Sequence, residues 1–65
     1  MNNTEYHEID TVNCIVAEND KLVVEYADCD DTVWFTVNGD QCVNVTRERA
    51  QELAANILTF FNKGE

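Results

Sequence analysis

The chain has 65 residues, of which 13 are Asp or Glu and 4 are Lys or Arg, for a net charge of −9. That length holds one domain near the lower limit for a self-supporting core and leaves no room for a deep pocket between two lobes. The charge excludes binding to nucleic acid or an anionic membrane through the chain's own field, and a hydrophobic content of 45% excludes a disordered chain.

Residues 1–8, MNNTEYHE, read as a flexible N-terminal lead-in. They lack the basic and apolar regions of a signal peptide, and no run of about 18 apolar residues occurs anywhere in the chain. The expectation is a cytoplasmic product that does not enter a membrane. From Ile9 to Asn44 the apolar residues follow period two, with β-branched and aromatic enrichment. This predicts strands over about 9–18 (IDTVNCIVAE), 22–27 (LVVEYA), 32–37 (TVWFTV) and 41–45 (QCVNV). Between them lie the turn clusters NDK, DCDD and NGD. Connections this short make neighbouring strands antiparallel, so the four form a meander.

After Val45 the period changes. Ala50, Leu53, Ala54, Ile57, Leu58 and Phe61 fall on one face of an α-helix over about 47–62. Thr46 is placed to cap it, Glu48 lies near the positive end of its dipole, Lys63 near the negative end, and Gly64 can terminate it. A single helix has one sheet face to cover. The fold class is therefore α+β: a four-stranded antiparallel β-meander with one C-terminal helix packed on one face, ββββα, in a single domain over 9–65.

The four-residue DCDD loop suggests which face. Pairing Ala27 with Thr32 puts Tyr26 opposite Val33, Val24 opposite Phe35 and Leu22 opposite Val37. With Val43 and Val45 these make an inner face; Val23, Glu25, Trp34, Thr36 and Ile15 then face outward. A strict two-residue turn at Asn38-Gly39 would pair Phe35 with Cys42 and mix the two sets, so this face requires a bulge or a longer loop. In the first strand, Val12, Cys14 and Val16 compete with Ile15 and Ala17 for the interior.

Little in the chain carries chemistry. His7 is the only histidine, it lies in the lead-in, and there is no serine, so nucleophilic catalysis lacks its parts. Cys14, Cys29 and Cys42 are an odd number, read as reduced thiols and small core residues. With His7 they offer four soft ligands, but 14 and 12 residues separate successive cysteines, unlike the close pairs of structural zinc sites. Asp28, Asp30 and Asp31 lack the glycine and the bidentate glutamate of a calcium loop. No phosphate loop is present, and paired carboxylates find no cleft under one helix. The expectation is no enzyme, no metal and no cofactor.

The charge itself is lopsided. Residues 1–31 hold nine acids against Lys21 alone. Glu18, Asp20, Glu25, Asp28, Asp30 and Asp31, with Trp34 beside them, are the candidate partner-binding residues: charge steers a basic partner in, and the ring supplies contact area. The competing reading makes Trp34 a core residue and the aspartates a solvated turn. In size, acidity and lack of catalytic residues the chain resembles phage-encoded inhibitors of host or defence proteins as a class. That resemblance implies a basic protein partner, such as a nucleic-acid-binding enzyme or complex, occupied by mimicry of nucleic acid. The alternative is a small homodimeric structural or assembly protein whose acidity serves only solubility.

Overall fold

The computed structural model describes residues 5–63. Four strands form one open antiparallel sheet in the order β1-β2-β3-β4, followed by a single helix. They are β1 (Tyr6–Asn13), β2 (Lys21–Ala27), β3 (Thr32–Val37), β4 (Gln41–Thr46) and α1 (Arg47–Asn62). The fold is the expected ββββα arrangement.

The β2–β3 register is the one the DCDD loop predicts: Ala27 opposes Thr32, Tyr26 opposes Val33, Val24 opposes Phe35 and Leu22 opposes Val37. The β3–β4 turn takes the longer form that the inner face requires. Val37 opposes Gln41, leaving three loop residues, and Phe35 meets Val43. Asn38 and Gly39 take positive φ, 58° and 70°, which is why this pair suits the bend. Asn38 also ties two loops together. Its backbone N–H donates to Lys21 O, its Oδ1 accepts from Lys21 N at 2.9 Å, and its Nδ2 donates to Asp20 Oδ1 at 3.2 Å.

β1 departs from expectation. It runs over Tyr6–Asn13 rather than 9–18, so His7 and Glu8 belong to the sheet and not to a loose lead-in. Residues 1–4 of that lead-in lie outside the described residues, as does Gly64 at the helix end. The reason is the hairpin partner: Asn13 opposes Lys21, where β2 begins, so Cys14–Ala17 have no strand to pair with despite their apolar run. A bulge between Glu8 and Asp10 inserts Ile9 and shifts the alternation. The cysteines depart too. All three are exposed rather than core. Cys14 Sγ sits in the β1–β2 loop and accepts from Val16 N and Ala17 N, both at 3.3 Å. Cys42 Sγ donates to Asn44 Oδ1 at 2.9 Å.

The helix forms as its periodicity predicts. Thr46 Oγ1 accepts the Arg49 N–H at 3.2 Å, and Glu48 lies in the first turn. Yet no residue of α1 is buried. The helix stands off from the inner sheet face and leaves an apolar cleft of about 730 Å³. Val24, Tyr26, Val33 and Phe35 line its sheet side; Leu53, Ala54 and Ile57 line its helix side. Among the described residues only Ala27 and Val33 are buried, at 1% and 5% exposure. The molecule is long and thin, 51 × 30 × 15 Å, with a Cα radius of gyration of 13.9 Å; a compact chain of this length has about 11 Å. No helix among the described residues is long and apolar enough to cross a membrane.

Candidate functional site

Alternation carries one set of strand residues to the face that α1 does not approach. Glu8, Glu25, Trp34 and Asn44 form one row across all four strands there. Tyr6, Ala27, Thr32 and Thr46 form the next. Trp34 is half-buried, and the Tyr6 ring meets it edge-on with centroids 5.2 Å apart and planes at 76°. Such pairs add to the area they bury. Ala27, small and fully covered, directly opposes Tyr6 in that second row. Tyr6 itself is 50% exposed.

Two carboxylates flank the aromatic pair. Glu8 and Glu25 are directly opposed on β1 and β2. Like charges at such positions repel across about 5 Å. Neither makes an ion pair among the described residues. Glu8 Oε2 instead accepts the Thr11 hydroxyl at 2.6 Å.

The 28–31 turn borders the same end of the sheet, and its aspartates are held differently from one another. Asp30 Oδ1 accepts from Thr32 Oγ1 at 2.8 Å, and that hydroxyl oxygen accepts from Trp34 Nε1 at 3.0 Å. The acid, the threonine and the indole are thus one hydrogen-bonded chain. Asp28 holds the start of β1: its Oδ1 accepts from Glu5 N at 3.4 Å, and its Oδ2 lies 3.2 Å from His7 Nε2. Asp31 faces the other way. It takes a positive φ of 59°, and its Oδ1 accepts from the Tyr26 hydroxyl at 2.6 Å and from Arg47 Nε at 3.2 Å. The hydrogen bond to Asp31 is the main reason the Tyr26 hydroxyl ionises above its ordinary value of 10.0. Loss of hydration and the negative charges of Asp31 and Asp28 push the same way, against Arg47. Asp31 is therefore a structural tie between the turn and the helix start.

Glu25, Asp30 and Trp34 accordingly share one end of the outer face, whereas the Asp28 carboxylate turns to His7, which opposes Tyr26 and lines the inner cleft. Glu18 and Asp20 do not join them. They sit in the β1–β2 loop, beyond the opposite end of β2, about 20 Å away along the strand. Tyr6 and Glu8 belong to the outer site and escaped the sequence reading. Their polar setting hid a strand whose signal was the alternation Tyr6, Glu8 against His7, Ile9.

One group could hold a cation. Ligand atoms of Glu5, His7 and Asp28 lie within 4.8 Å of one another, all on exposed residues. The same geometry is satisfied by His7 as an ion-pair partner of the two carboxylates, at 3.8 Å and 3.2 Å. No protein-family model, curated protein or solved structure matches the chain.

Proposed function

We propose that this chain is a small acidic protein-binding module that lays its outer sheet face on a basic surface of a partner protein. The observation that supports this most is the Glu8–Glu25 pair beside the Tyr6–Trp34 rings. Two opposed carboxylates without a cation cost the isolated sheet. A lysine or arginine from a partner would relieve that repulsion and place its stem against the indole. Asp30 extends the anionic border, and the ring pair supplies the anchor.

The basic surfaces that fit such a border best are those that otherwise hold a phosphate backbone, so the partner class is a nucleic-acid-binding protein and the mode is inhibition by mimicry. The module acts in the cytoplasm, where thiols stay reduced. It has no catalytic role in this reading.

The test is capture of partners by the immobilised chain at low and high ionic strength, alongside Trp34→Ala and the double variant Glu8→Gln, Glu25→Gln. The wild type should retain a basic protein that salt releases, and each variant should lose it. Equal retention by both variants, or retention that salt does not weaken, would exclude the outer face as the docking site.

A further inference from the structure

We propose that a second copy of this chain closes the apolar cleft between the sheet and α1, forming a two-fold dimer through the face opposite the acidic one. The proposal is independent of the outer-face reading and uses different residues.

The helix carries more apolar surface than its own sheet covers. At about 100° per residue, Phe60, Leu53, Ile57, Phe61 and Leu58 span an arc about 160° wide. Their exposures run from 46% at Leu53 to 72% at Phe61. The sheet's inner side is likewise open, with Ile9 at 59%, Val12 at 51% and Val43 at 63%. One chain thus offers both an apolar groove and the apolar ridge to fill it. That combination is what an isologous contact needs.

Area points the same way. The chain exposes 5476 Å², whereas a folded monomer of this length exposes about 4,200 Å². The excess, about 1,300 Å², is larger than the roughly 800 Å² that each partner buries in a specific interface of standard size.

Charge selects the occupant. No residue lining the cleft is acidic, although the chain carries −9 overall; the acids nearest it, Asp28 and Asp31, stand at one end and are already bonded to His7, Tyr26 and Arg47. Glu48 and Glu52 lie on the far side of α1 from its apolar arc. Two copies can therefore meet along this lining without acid opposing acid, while a basic partner finds only carboxylates that already have partners. The β1 edge is a poorer route to self-association: it is broken by its bulge and carries Glu8 and Asp10, and such features oppose strand addition.

Sedimentation equilibrium on the full chain tests this, with Leu58→Glu and Phe61→Glu as variants and circular dichroism to check the helix. The wild type should have twice its chain mass of 7.4 kDa. Both positions are exposed within one chain, so each variant should keep its helical signal while the dimer Kd rises about 100-fold or more. A wild type that stays monomeric at high micromolar concentration overturns the proposal, including one whose cleft binds an apolar dye. So does a dimer that both variants leave intact.

Discussion

At the residue scale, the aspartates of the 28–31 turn divide between holding the chain and facing outward. Asp31 joins the Tyr26 hydroxyl and the Arg47 guanidinium at a left-handed backbone position, which a residue with a short polar side chain tolerates best. The raised ionisation of Tyr26 gives this tie a pH signature. Its stabilising effect is complete below pH 10.0, the ordinary value, and is lost as pH rises through the higher value of the folded state. Tyr26→Phe should remove that alkaline loss of stability and one late tyrosinate transition; an unchanged alkaline melting profile would contradict the assignment. Replacing Asp31 by Ala should cost about 1–2 kcal/mol more than replacing it by Asn, which keeps an acceptor and tolerates positive φ. Thermal denaturation of the two variants checks the difference.

At the element scale, α1 rests on few supports, so its cap matters. Thr46→Ala removes the acceptor of the Arg49 N–H and should cost about 1 kcal/mol, or roughly 4–8 °C in Tm for a chain of this size. No shift in Tm would mean the helix end is held by something other than its cap. The elements also show what a single sequence discloses. α1 was legible to its ends because six turn-spaced apolar positions and a capping threonine agree. β2 and β3 were legible because a four-residue loop fixes their register. β1 was not, since Cys14-Ile15-Val16-Ala17 has strand composition yet no partner across the hairpin, while Tyr6-His7-Glu8 has a partner and little strand composition. Pairing is a non-local property that composition does not carry. The candidate site inherited that gap: Trp34 and Glu25 were found, Tyr6 and Glu8 were not, and Glu18 and Asp20 were grouped with them on charge alone although the sheet separates them.

At the scale of the whole molecule, the sheet separates two kinds of surface. The inner face and α1 are apolar and free of acids along the cleft; the outer face carries an aromatic pair between carboxylates. Two surfaces of such different chemistry respond to salt with opposite sign. Ionic strength screens the repulsion between two chains of −9 each and so should tighten self-association through the cleft. The same change should weaken binding of a basic protein to the outer face. Titrating both equilibria against salt checks this, and parallel trends would mean that one surface serves both.

The central claim is that the outer face is uncovered and anionic, and the chain's single tryptophan reports on it directly. Each normalised to its quenching of a neutral free tryptophan derivative, caesium and iodide should quench Trp34 differently at low ionic strength, with the cation the more effective, and should converge as salt rises. The preference should persist when the chain is diluted, because self-association uses the other face. Equal normalised quenching by the two ions, or a normalised preference for iodide, would contradict the account.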